Sequence, residues 1–297
     1  MDQALTISVP LPRRGMAPGP GHAVLRLARR YPLGAFGSLV LLVMVITAAF
    51  PGRFAPQNPL DSDFLAQLQP PSPHHLLGTD AFGRDVLSRI IYGAQTALVV
   101  GLSSSLAASA LGVALGVAAA YFRGAFDLLA ERLTEILLSF PLVILALALV
   151  AALGSGTPNV ILAIIVVSVP RVSRVVRSSA LAVCETVFVE AARALGAGPL
   201  RVMWRHMLPN VLAPSIVMLT ALLGQAVLLE ATLSFLGLGV AEPTPAWGLM
   251  LRGSATQFAE RAPWLAIAPG VAISLAVFAF NFVGDAMRDA LDPRLRI

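Results

Sequence analysis

Few side chains in this sequence could do covalent chemistry, and their spacing is wrong for it. Cys184 is the single cysteine and has no partner for an intramolecular disulfide. His74 and His75 are adjacent, and neighbouring side chains do not converge on one ion as histidines four apart on a helix can. No Cys/His pattern of metal-binding type exists. All 21 basic residues are arginine. Without a lysine there is no P-loop to reach the β- and γ-phosphates, and no amine for a Schiff base. The chain is therefore expected to carry no catalytic residues, no metal site and no cofactor of its own. If ATP drives its work, magnesium and ATP sit on other subunits.

Two polar residues stand out because of their surroundings. Glu230 is the one carboxylate deep in an apolar run. An ionised acid at a helix centre in a membrane costs about 2.5–3.5 kcal/mol on insertion scales, so it should face protein or water. It is expected to line a translocation path or to pair with an arginine. Gln225, five residues earlier, is a second candidate for that path, about 140° away around a helix. Thr79-Asp80 reads as a cap for a helix opening at Ala81.

The polar island "VFVEAARALGAGPLRVMWRHMLPN" (187–210) has a different kind of order. Phe188, Ala191, Ala192 and Leu195 fall at i, i+3, i+4, i+7, which predicts one apolar face on a short helix, with Glu190 and Arg193 elsewhere. Gly196 stands where a helix C-terminus is expected, and Gly198-Pro199 opens a second helix. Leu200, Met203, Trp204 and Met207 form its apolar stripe, and Pro209 is expected to break the chain after it. The pair reads equally as an interfacial helix hairpin resting on lipid or as a surface for a partner's groove.

The elements around this island are membrane-length. The composition is 57% hydrophobic and 12% charged, with a mean hydropathy of +0.80, far from a soluble domain of this length. Six apolar runs can cross about 30 Å of hydrocarbon. They are Leu33–Phe50, Ala94–Phe122, Leu128–Leu153, a run from Asn159 that continues into solvent past Pro170, Val211–Phe235 and Trp264–Val283. Asp127 is a candidate cap for the third, and Phe140-Pro141 should kink it. Gly112 and Gly116 in the second predict close helix packing. Six spans put both termini on one side. On that basis sixteen arginines, Arg171, Arg174 and Arg177 among them, fall on the side of the termini and five on the other, so the termini and the 171–210 loop are expected in the cytoplasm. Net charge of +5 thus follows topology, and nucleic acid is not an expected partner. The expected organisation is a disordered cytoplasmic tail (1–25), an N-terminal transmembrane helix (26–50), an extracytoplasmic segment (51–93), a five-helix core (94–283) and a cytoplasmic C-terminal segment (284–297).

Glu190-Ala191-Ala192, three residues, Gly196, nine residues, then His206-x-Leu208-Pro209 resembles the EAA loop of ABC importer permeases. "HLLGTDAFGRDVLSRIIYGAQTAL" (75–98), "SFPLVILALALV" (139–150), "LLEATLSFLGLGV" (228–240), "PAWGLML" (245–251) and "GDAMRDALDPRLR" (284–296) resemble, in the same order, the C-type permease of dipeptide, oligopeptide and nickel importers. The resemblance spans residues 26–297. It implies an all-α membrane protein of six transmembrane helices with the type I importer permease (MetI-like) fold, in the bacterial inner membrane. The implied partners are a second permease subunit in a heterodimer, two ATP-binding subunits, an extracytoplasmic solute-binding protein and membrane lipid. The implied coupling residues are Phe188, Glu190, Ala191, Ala192, Gly196, Leu208 and Pro209. The implied cargo is a dipeptide or short oligopeptide; the alternatives are nickel chelates, glutathione-like peptides or oligosaccharides. A proton-coupled secondary transporter using Glu230 would have no need of the loop's spacing.

Overall fold

The computed structural model describes residues 29–258 and 260–291, so the expected disordered tail at 1–25 lies outside the described residues. The chain is helical throughout its apolar runs. In order, the main helices are α1 (Pro32–Ala49), α2 (Val86–Phe122), α3 (Gly124–Ser139), α4 (Leu142–Leu153), α5 (Thr157–Cys184), α6 (Val187–Ala194), α7 (Pro199–Phe235), α8 (Trp247–Gln257) and α9 (Trp264–Leu291). Among the described residues five of these, α1, α2, α5, α7 and α9, are single helices long and apolar enough to cross a membrane. The bent pair α3 and α4 raises the number of spans to six.

The helix starts follow local chemistry. Pro32 sits in the first turn of α1, where its missing N–H is no loss. α2 begins at Val86, eight residues before the apolar run suggests. Asp85 caps it, accepting from the Ser88 amide at 2.8 Å. Thr79-Asp80 therefore caps no helix at Ala81; the Asp80 carboxylate instead accepts from the amides of Phe82 and Arg84 in a tight turn. The third apolar run is not one kinked helix. Phe140, preceding Pro141, is extended (φ −89°, ψ 140°), as a residue before proline tends to be, and α3 and α4 meet at 94°. Asp127 lies inside α3 and bonds Arg177 on α5 rather than capping. α5 does continue as a helix past Pro170. Its arginines, however, pack against other helices: Arg177 at 2.5 Å from Asp127, Arg174 at 3.9 Å from Glu131, and Arg171 against Gln225 on α7.

Close packing rests on small residues. A Cβ built at Gly112 would stand 2.6 Å from Val172, and one at Gly116 would stand 2.6 Å from the Ser173 carbonyl, so α2 and α5 touch backbone to backbone there. The core then forms around α7, whose buried Val227, Ala226 and Leu229 pack on α2, α5 and α9. One end of the bundle carries a folded cap made from residues 55–85, α8 and the loop before it. Trp247 donates its indole N–H to the Ile90 carbonyl at 2.9 Å, and Thr96 donates to Pro245 at 2.8 Å, tying that cap to α2. The other end carries the 185–210 segment.

Candidate coupling loop and translocation-path residues

Measured from the far end of α7, the helix that carries the 185–210 segment is longer than an apolar slab. Met207 is 28 residues from the end of α7, about 42 Å at helical rise, against about 30 Å of hydrocarbon. α6 ends in a Schellman arrangement: the Gly196 amide donates to Arg193 at 2.9 Å and the Ala197 amide to Ala192 at 3.0 Å. Gly196 has φ +80°, a backbone conformation that costs an L side chain about 1–2 kcal/mol. Nothing lies within 4 Å of where its Cβ would be, so the requirement for glycine is conformational and the space beside it is open. Gly198 and Pro199 then start α7 as the sequence suggests.

Pro209 does not break the chain. The helix runs from Pro199 to Phe235, and the turn from Val202 to Met207 is π-helical, with the Leu208 amide reaching back to Met203. A proline must leave a carbonyl unbonded upstream and crowd the preceding turn. The wider turn absorbs both, and the loop stays rigidly joined to α7.

The expected single apolar face of α6 is divided between two directions. Val189 and Ala192 turn inward. Val189, with Val202 and Met207, packs on Val117 and Ala120 of α2, Val176 and Ala180 of α5, and Leu222 of α7. Leu208 packs partly on this base. Phe188, Glu190, Ala191 and Pro209 face outward and exposed. Around them Val187 is 80% exposed, Leu195 88%, Leu200 69% and Trp204 68%. The periodicity at Phe188, Ala191, Ala192 and Leu195 could not reveal the split, because all four are apolar; Val189, missed in the sequence, is the residue that fixes which side is inward. The base is also tied at its edges. Arg193 lies over the Tyr121 ring at 4.8 Å, and Arg123 bonds Glu185. The Arg123 hydrogen bond, and then its charge, hold the Glu185 carboxyl below the usual carboxylate range.

The two path candidates have different neighbours. Glu230 is 1% exposed and accepts a hydrogen bond from Ser234 Oγ at 2.7 Å, while the Val240 amide donates to that same Oγ at 3.2 Å. Among the described residues no arginine lies within 4 Å of Glu230. Gln225 is half-buried, and its Oε1 accepts from Arg171 Nη1 at 2.9 Å on an open surface of the subunit.

At the opposite end the 75–92 segment turns its polar groups on itself. Asp85 takes the Ser88 amide, the Ser88 hydroxyl at 2.7 Å and His75 Nδ1 at 3.1 Å. His75 is thus a partner of Asp85, and among the described residues no three His, Cys, Asp or Glu side chains group as metal ligands. Arg89, almost fully buried, donates to the Pro59 carbonyl at 3.1 Å and stands 3.7 Å from Asp80.

Membrane-length helices around a loop that exposes apolar side chains define an integral membrane protein with an uncovered surface. Residues 112–297 match the family described as "Binding-protein-dependent transport system inner membrane component", and the chain belongs to that family. A protein of Brucella suis biovar 1, whose name assigns it to a peptide transport system as permease, is 42% identical over 272 residues, covering 92% of this chain and 91% of the relative. The dipeptide transport system permease protein DppC of Alkalihalophilus pseudofirmus is 39% identical over 280 residues, covering 94% and 92%. The glutathione transport system permease protein GsiD of Escherichia coli O1:K1 is 38% identical over 297 residues, covering 99% and 97%. Among solved structures, an inward facing conformation of the MetNI methionine ABC transporter matches at a TM-score of 0.58 and 20% identity, over 69% of this chain and 97% of that one. The chain therefore has the fold of an ABC importer permease.

Proposed function

We propose that this chain is one of two unlike permease subunits of an importer for dipeptides or short oligopeptides, with residues 185–210 docking on an ATP-binding subunit. The observation that carries the docking role is the division of that segment. Its inner face is sealed into α2, α5 and α7, while Val187, Phe188, Leu195, Leu200 and Trp204 are left bare. Bare apolar surface of this kind is what a partner's groove buries. Because α7 is unbroken across Pro209, a push on the loop travels into the core as movement of one 37-residue helix. Closure of an ATP-binding pair around magnesium and ATP would in this way swing the bundle between inward- and outward-facing states.

Arginine distribution supports placing this loop and both termini in the cytoplasm, leaving the cap of residues 55–85 and α8 to meet a solute-binding protein outside. The peptide class rests on relatives named for peptide, dipeptide and glutathione transport. The test is ATP-dependent uptake of a labelled dipeptide in cells lacking the native gene, complemented with wild type or Gly196→Arg. Uptake by the wild type alone, competed by unlabelled peptides and indifferent to nickel, is expected. Equal uptake by both forms would remove the coupling role.

A further inference from the structure

Arg171 is placed where a lone arginine is expensive. The helix ends give the depth: the Gly156 amide, just before α5, donates to the Gly239 carbonyl, just after α7, at 3.1 Å, so these two ends share a level. From there Arg171 lies 14 residues, about 21 Å, down α5, and Gln225 lies 10 residues, about 15 Å, up α7. A slab of about 30 Å measured from that level takes in both, whereas the arginine count puts Arg171 on the cytoplasmic side. The other two arginines of the row are neutralised by α3, Arg177 by Asp127 and Glu131, and Arg174 by Glu131. Among the described residues no carboxylate lies within 4 Å of Arg171. Its one hydrogen-bond partner there is Gln225, and its side chain is exposed on the surface of the subunit. Lipid is the wrong neighbour for an exposed guanidinium at that depth, which leaves water or another protein.

We propose that Arg171, oriented by Gln225, contacts the carboxylate of the peptide in transit, on the wall of a water-filled path completed by the second permease subunit. The proposal rests on the peptide-import reading above. A guanidinium has five N–H donors in a planar fork that suits a carboxylate in a two-point contact, and Gln225 occupies one of them. Every linear peptide with a free C-terminus carries that carboxylate whatever its side chains. One arginine can therefore assist passage without choosing among sequences. Gln225 is neutral, so it holds the fork in place without neutralising it, whereas a carboxylate there would compete with the cargo.

The experiment is import by the complete importer in proteoliposomes, with ATP and saturating solute-binding protein, of labelled trialanine and of trialanine amide. The readout is the ratio of acid to amide imported, measured for wild type, Arg171→Gln and Arg171→Lys. The proposal expects Arg171→Gln to lower this ratio about tenfold, in line with losing one charge-assisted contact, and Arg171→Lys to restore most of it. An unchanged ratio in Arg171→Gln overturns it. Parallel loss of both forms, with the second permease lost on purification, would make Arg171 a pin between subunits instead. A wild type that imports neither form while another solute stimulates its ATPase removes the peptide reading itself, and this proposal with it.

Discussion

The two ends of the bundle are held together differently. At the end built from residues 55–92 and α8, buried polar groups find partners within the chain: Asp85 is consumed by Ser88 and His75, Thr79 by Ala66 and Gln69, Arg89 by Pro59. Among the described residues the one buried side-chain oxygen or nitrogen with no partner, Ser105 Oγ, lies elsewhere, in α2. At the 185–210 end the base is an apolar cluster of Val189, Val202 and Met207 against α2, α5 and α7, and the outer surface exposes Val187, Leu195, Leu200 and Trp204. The first end closes its buried polar groups within the chain, and it too leaves Phe64, Leu65 and Leu76 exposed. The second packs an apolar base and leaves exposed the surface proposed above to dock an ATP-binding subunit.

Substitutions can sharpen or break this contrast, and their expected sizes are ordered. Met207→Ala, in the base, should cost about 3 kcal/mol, the usual size for emptying a packed methionine site, read as a fall in the unfolding midpoint of the purified protein. Asp85→Ala should cost about 2 kcal/mol, because it removes a helix cap and strands the buried Ser88 amide and His75. Transport per folded molecule should stay within about twofold, and a complete loss at unchanged stability would place this segment in transport chemistry. Gly196→Ala should cost about 1 kcal/mol, since the added Cβ meets a positive φ and no neighbour. A variant as stable as wild type would show that the turn is not conformationally demanding. Glu185→Gln should be the smallest effect. Both Glu185 and Arg123 are exposed and screened by solvent. Because the folded carboxyl titrates below its ordinary value, its contribution is present above about pH 4.3 and disappears as the pH falls through the depressed value. Wild type and variant should therefore differ slightly at neutral pH and low salt, and become indistinguishable in acid.

Much of this was legible in the sequence, and what was not has physical causes. Long apolar runs announce spans, and Gly196 and Gly198-Pro199 announce a turn, because hydropathy and backbone chemistry are local. The early start of α2 at Val86 was hidden by Arg89, a charge that only tertiary partners make acceptable inside a buried turn. The sharp break at Phe140-Pro141 was readable as a bend but not as 94°, since neighbouring helices decide how far the freed ends diverge. The continuity across Pro209 depends on one π-helical turn, which proline statistics alone argue against. The division of α6 into a buried and a bare side is set by which helices lie behind it. The pairing of Arg171 with Gln225 joins residues 54 apart that no local pattern connects.

The central claim is that the bare side of 185–210 is a docking surface and not a structural leftover. The most direct test is purification of the importer through this subunit after changing Leu195 to Asp and Trp204 to Ser together. Both residues are exposed, so the variant should unfold within about 0.5 kcal/mol of wild type. The account predicts that it keeps the second permease subunit, loses the ATP-binding subunits and imports nothing. Full retention of the ATP-binding subunits, with import at the wild-type rate, would contradict it.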